Sequence, residues 1–125
     1  MKILVVDGSK KFSENLIRYL GLENDFDEVF EADAVEEALR IIKANSLDVI
    51  IFDIQLKGES GLDIVPVSRR MPWRPVLIVC SNYWYPQYKS IYENMDVNYF
   101  FDKSSQLAEL KTFIKKIIMD RQNYV

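Results

Sequence analysis

Histidine is absent from this 125-residue chain, cysteine occurs once, and glycine and proline occur four times each. Without an imidazole there is no zinc site built on histidine, no Ser-His-Asp triad and no histidine phosphocarrier chemistry. The lone thiol, Cys80, cannot close an internal disulfide, which sets aside the cross-linked frameworks of small secreted domains. No apolar stretch approaches the ~20 residues of a membrane span, and Met1-Lys2 leads straight into a strand pattern instead of a signal peptide. Excess charge is scarce as well: a net charge of -3 gives no field that recruits nucleic acid or an anionic membrane. These absences leave a cytoplasmic single domain over residues 1–125 as the expectation, and a hydrophobic content of 49% supplies it with a core.

What is present is a repeated pattern of short apolar runs, each ending on charge. Ile3-Leu4-Val5-Val6 ends on Asp7, Val49-Ile50-Ile51-Phe52 on Asp53, and Tyr99-Phe100-Phe101 on Asp102-Lys103. Continuous apolar runs too short for core helices read as strands buried on both faces of a parallel sheet. Helical patterns separate them. Strands are expected over residues 2–6, 29–32, 48–52, 75 to 79 or 80, and 97–101; helices over 9–22, 34–45, 61–70, 84–95 and 105–121. The first helix carries Phe12, Leu16, Ile17 and Leu20 at 3–4 spacing, and the last carries Leu107, Leu110, Phe113, Ile114, Ile117 and Ile118 toward the core. Five β-then-α units predict an α/β, doubly wound, five-stranded parallel sheet with helices on both faces. The flavodoxin-like order 2-1-3-4-5 is one of two common solutions, and it makes the first and third strands neighbours, with Asp7 beside Asp53.

Charges that follow parallel strands lie at the carboxyl edge of the sheet, where open α/β folds place their ligands. Asp53 is either a cap after the third strand or a nucleophile and metal ligand; a carboxylate can attack a phosphoryl group to form an acyl phosphate. Such an attack brings two anions together and calls for a divalent cation, plus a fixed positive charge for the phosphoryl oxygens. Lys103 suits that second role, or it is a surface lysine paired with Asp102. Ser81 offers a hydroxyl to a phosphoryl oxygen or caps the following helix. Cys80, one residue away, is the rival for that position or a core filler.

With these residues in order, the chain resembles the receiver domain of bacterial response regulators over its whole length. The resemblance rests on Ile3 to Asp7, Val49 to Asp53 followed by Leu56 and Gly61, Pro75 to Ser81, and Phe100-Phe101-Asp102-Lys103. It implies that Asp53 accepts phosphate from a sensor histidine kinase or phosphotransfer protein. It also implies that Asp7, Asp53 and the Gln55 backbone carbonyl gather Mg²⁺, and that Lys103 and Ser81 meet the phosphoryl group. Phe100 matches the aromatic switch residue; Gln55 and Tyr83 match positions that govern access of water to the acyl phosphate. The domain is then a phosphoacceptor and not an enzyme in the ordinary sense, beyond accepting phosphate from small donors and losing it to water.

One departure is central. Family members carry two adjacent acids after the first strand, and here the second is Gly8. Losing a charged oxygen ligand weakens Mg²⁺ binding, although water can fill the vacated position. A pseudo-receiver, a protein-binding module whose site has decayed at Gly8, is therefore the alternative reading. A small hydrolase is disfavoured, because no histidine or second catalytic carboxylate stands ready as general acid. Lys57, where proline is common in the family, either offsets the lost acid or is simply solvated. Tyr83, Trp84, Tyr85, Tyr88 and Tyr92 crowd the fourth helix, and not all of them can face the core. The resemblance implies that this helix, the strand after it and the last helix form an output surface over 84–121; the aromatic face there either binds a downstream protein or a second copy or merely caps the core. Only Asn123-Tyr124-Val125 follows the last helix, so the chain reads as a stand-alone receiver or an excised domain.

Overall fold

The apolar runs pair side by side in the computed structural model, which describes residues 1–82, 90, 94 and 97–122. In chain order the elements are β1 (Lys2–Val6), α1 (Lys10–Leu20), α2 (Leu22–Asp25), β2 (Glu28–Ala32), α3 (Val35–Ala44), β3 (Val49–Phe52), β4 (Gln55–Leu56), β5 (Glu59–Ser60), a 3₁₀ turn (Gly61–Asp63), α4 (Ile64–Arg70), β6 (Val76–Ser81), β7 (Tyr99–Asp102) and α5 (Leu107–Gln122). Five of the strands form one parallel sheet in the order β2-β1-β3-β6-β7, which is 2-1-3-4-5 when its own strands alone are counted. The expected flavodoxin-like, doubly wound fold is what the chain adopts.

Alternation along each strand divides the core into two layers. Leu4, Val6, Ile50, Phe52, Leu77 and Val79 face one side, where Ala38, Ile42, Ile64 and Val65 of α3 and α4 cover them. Ile3, Val5, Val49, Ile51, Ile78 and Cys80 face the other, against Leu16, Ile17 and Leu20 of α1 and Leu110, Ile114 and Ile118 of α5. A sheet buried on both sides has no solvated face, which is why its strands read as unbroken apolar runs.

The boundaries differ from the expectations where local chemistry intervenes. The helix predicted over 9–22 is two helices: Gly21 takes a left-handed conformation (φ 66°), its N–H closing back on Arg18 and Ile17, and the chain restarts at Leu22. The loop after β3 contains a two-residue antiparallel hairpin, β4 with β5, too short to leave a period in the sequence. The fourth main strand runs one residue further than predicted and includes Ser81. The aromatic segment lies outside the described residues, and with it Tyr83, Trp84, Tyr85, Tyr88 and Tyr92; within 84–95 only Ser90 and Asn94 are described, and both are helical. Among the described residues no helix is long and apolar enough to cross a membrane.

Candidate functional site

Parallel register decides where the acids fall. Val6 of β1 pairs with both Ala32 of β2 and Phe52 of β3, so the chain leaves β1 and β3 at the same height. Asp7 and Asp53 are the next residues, and their backbone N–H groups extend the ladder to Ala32 O (3.0 Å) and Val6 O (2.9 Å). Both are nearly buried, at 4% and 7% exposed.

Each carboxylate is held in the same way. Asp7 Oδ1 accepts the N–H of Ser9 at 2.8 Å, and Asp53 Oδ1 accepts the N–H of Gln55 at 3.2 Å, an Asx turn at each strand end. The other oxygen of each is directed to one cation. Lys103 Nζ lies 2.7 Å from Asp7 Oδ2 and 3.0 Å from Asp53 Oδ2. The convergence expected from sequence is therefore present, and the alternative pairing of Lys103 with Asp102 is not. Asp102 Oδ1 is taken by the N–H groups of Ser104 (2.7 Å) and Ser105 (3.0 Å), which makes it the cap of the turn after β7.

Burial works to lower the pKa of Lys103, but its hydrogen bonds to Asp7 and Asp53, reinforced by their charges, outweigh it and hold the ammonium above the usual lysine value of 10.5. Because the folded value is raised, the stabilisation from Lys103 is fully present below the unfolded lysine value and is lost as pH rises through the folded one. In Lys103→Met two carboxylates face each other at close range without a counter-charge. Chemical denaturation should show it less stable by about 2 kcal/mol at pH 7. That gap should narrow toward pH 11, where the wild-type ammonium itself begins to discharge. A gap independent of pH would mean that Lys103 acts through packing alone.

Ser81 and Cys80 separate cleanly. Cys80 points into the layer beneath α1 and α5, and its burial pushes the thiol up to about 12, which makes it an inert core residue. Ser81 is buried on the opposite face, and its carbonyl accepts the N–H of Lys103 at 3.1 Å. Phe100 pairs in register with Val79, so it shares the face of Ser81, and it packs half-buried against the α3 and α4 layer. Gln55 is exposed at the start of β4. Lys57 is solvated: its side chain is 73% exposed, with its ammonium 3.6 Å from Asp33.

Gly8 leaves space. A Cβ built there would meet the backbone of Lys57 and Leu56 only at ordinary contact distances of 3.6 and 3.7 Å. Among the described residues no three acidic, cysteine or histidine side chains group to hold a metal ion. The oxygen donors that the structure brings together here are the carboxylates of Asp7 and Asp53. Those are hard oxygen ligands of the kind Mg²⁺ accepts, in smaller number and lower charge than a dedicated cage.

Three features escaped the sequence reading. The Phe12 ring lies over Lys103, the Glu59 carboxylate accepts the N–H of Val35 (3.3 Å) where the α3 cap residue Ala34 offers no side chain, and Gly61 packs directly against the Asp53 backbone. Only the last left a signal, a glycine eight residues beyond the acid.

The fold and the two-acid, one-lysine crevice are those of a receiver-type domain. The sequence matches the response regulator receiver domain over residues 3–115, and the chain belongs to that family. The sensory transduction protein LytR of Staphylococcus epidermidis is 36% identical over 65% of this chain and 32% of its own length. The chain thus spans about a third of the length of the curated relatives it matches. Among solved structures, the N-terminal domain of an uncharacterized protein from Wolinella succinogenes superposes with a TM-score of 0.84 at 25% identity, covering 100% of this chain and 99% of that one. A CheY-like receiver domain from Methanospirillum hungatei shares the fold, with a TM-score of 0.82 at 19% identity over 99% and 98% of the two chains.

Proposed function

We propose that residues 1–125 act as a cytoplasmic phosphorylation-dependent switch whose phosphoacceptor is Asp53. The observation that carries this reading is the single ammonium held between two nearly buried carboxylates at the carboxyl edge of the sheet. A carboxylate oxygen of Asp53 attacks the phosphoryl group of a kinase or phosphotransfer phosphohistidine, the P–N bond breaks, and an acyl phosphate forms. Asp7, Asp53 and the Gln55 carbonyl would hold Mg²⁺, with water completing its shell; bound there, the ion neutralises the approaching phosphoryl charge. Gly8 makes that binding weak.

Once Asp53 carries the phosphoryl group, Lys103 and the Ser81 hydroxyl read its charge, and Phe100 on the same face adjusts beside them. Gln55 and Tyr83 control how readily water reaches the acyl phosphate. The output surface runs over 84–121, where the half-exposed Tyr99 ring lies 4.1 Å from that of Phe113 and Met119 is 60% exposed. Its partner is a downstream protein or a second copy of the chain. Local charge biasing a two-state element is the physical basis of such switches.

Intact mass after incubation with Mg²⁺ and acetyl phosphate or phosphoramidate tests the reading. The wild type should gain one phosphoryl group, and Asp53→Ala should gain none. No gain by the wild type over hours would make the domain a constitutive protein-binding module, the role to which the two-acid donor set also lends itself.

A further inference from the structure

Lysine carries a flexible four-carbon stem, and two ion pairs alone do not define where its ammonium sits in a crevice open to water. Lys103 has a third contact. Its Nζ stands 4.1 Å from the centroid of the Phe12 ring, at the start of α1. The face of a phenyl ring carries negative potential and attracts an ammonium, most strongly where water is excluded. The Lys103 side chain is 14% exposed, and the acids beneath it less, so the ring stands where a water would otherwise solvate the charge.

The ring is itself tied to one of those acids. Asp7 Oδ1 accepts the N–H of Ser9, and Ser9 Oγ accepts the N–H of Phe12 at 3.2 Å as the N-cap of α1. The other oxygen of Asp7 holds Lys103, and Phe12 covers that ammonium. Asp7, Ser9, Phe12 and Lys103 thus form a closed circuit of contacts, in which the same carboxylate sets both the cation and the ring that confines it. The remaining apolar positions of α1 (Leu16, Ile17 and Leu20) are buried in the core, whereas Phe12 is only partly so.

We propose that Phe12 is a positioning residue, its ring holding the Lys103 ammonium across Asp7 and Asp53 by cation–π attraction and by exclusion of water. Its bearing on phosphotransfer rests on the receiver reading; the confinement of Lys103 does not.

The test is therefore made first without metal or phosphodonor, by trace acetylation of the folded protein with acetic anhydride and peptide mass spectrometry of Lys103 against Lys115. In Phe12→Leu the relative labelling of Lys103 should rise about fivefold, and Ser9→Ala, which loosens the cap, should raise it about twofold. Fluorinated phenylalanines placed at position 12 keep the size of the ring while draining its face of electron density; labelling should climb with each added fluorine, and Phe12→Tyr should restore the wild-type value. A role limited to core packing would leave the fluorine series flat, and a flat series overturns the proposal. The second arm follows acetyl phosphate phosphorylation, which should slow about fivefold in Phe12→Leu. If the wild type takes no phosphate, the receiver reading fails while the labelling series still decides the role of Phe12. If phosphorylation is normal in Phe12→Leu while labelling rises, the ring confines the lysine without serving the reaction, and its bearing on phosphotransfer is refuted.

Discussion

Gly61→Ala should lower the melting temperature by about 10 °C and cut phosphorylation of Asp53 at least tenfold. A Cβ at this position would lie 1.9 Å from the carbonyl oxygen of Asp53, 3.0 Å from its carbonyl carbon and 3.3 Å from Ile54 Cα. Those are backbone atoms at the end of β3, which cannot rotate away as a side chain would. Gly61 also donates to Ile54 O at 2.5 Å, so the segment after β5 lies directly on the loop that carries Asp53. Accommodating one methyl group must push that loop from β3 or turn the Asp53 peptide, at a cost of about 3 kcal/mol. Because Asp53 Oδ1 is oriented by the N–H of Gln55 in the same loop, the displacement reaches the carboxylate. The need is for close approach and not for an unusual φ, so serine should fail as alanine does. Thermal unfolding of Gly61→Ala with a midpoint unchanged from the wild type would show that the loop yields without strain.

Gly8→Asp should tighten Mg²⁺ binding about tenfold or more, read by isothermal titration calorimetry. The room for a side chain is already there, since the contacts of an added Cβ are ordinary, and β1 needs no adjustment to present it. In the wild type two carboxylates share one ammonium; the substitution places a third beside them. Without metal that excess of negative charge should destabilise the domain, and with saturating Mg²⁺ the added ligand should stabilise it, so the two melting curves should cross over. A variant that is less stable with and without Mg²⁺, and binds the ion no better, would show that the low metal affinity comes from the Lys103 bridge and not from the missing acid.

The parts of the site that were legible beforehand share one property: each is local. Asp7, Asp53 and Lys103 could be read because each closes an apolar run, and a charge directly after a buried parallel strand has to emerge at the sheet edge. Ser81 and Cys80 stayed rivals in the sequence, because an unbroken apolar run does not show which layer each residue faces; the structure put Cys80 in the layer beneath α1 and α5. The break at Gly21 was present as a glycine near the end of a helical pattern, but a single glycine there does not distinguish a helix that continues from one that ends in a left-handed turn. The β4 and β5 hairpin had too few residues for any period at all.

Phe12 marks the limit of that reading. Its spacing with Leu16 and Leu20 assigns it to the core face of α1, and part of the ring is indeed there. Its contact with Lys103 exists only because the start of α1 and the end of β7 are brought together across the top of the sheet. The partner of Lys103 was undecided for the same reason: Asp102 is adjacent in sequence, yet the turn consumes it, and distant Asp7 and Asp53 take the lysine instead. The amino-acid sequence alone determined which apolar runs become buried strands and which charged residues follow them, because burial on both faces of a parallel sheet is a property of short segments. Only the tertiary structure decided which charge neutralises which, and what covers it, because those contacts join segments whose relative height is set by sheet register and helix packing.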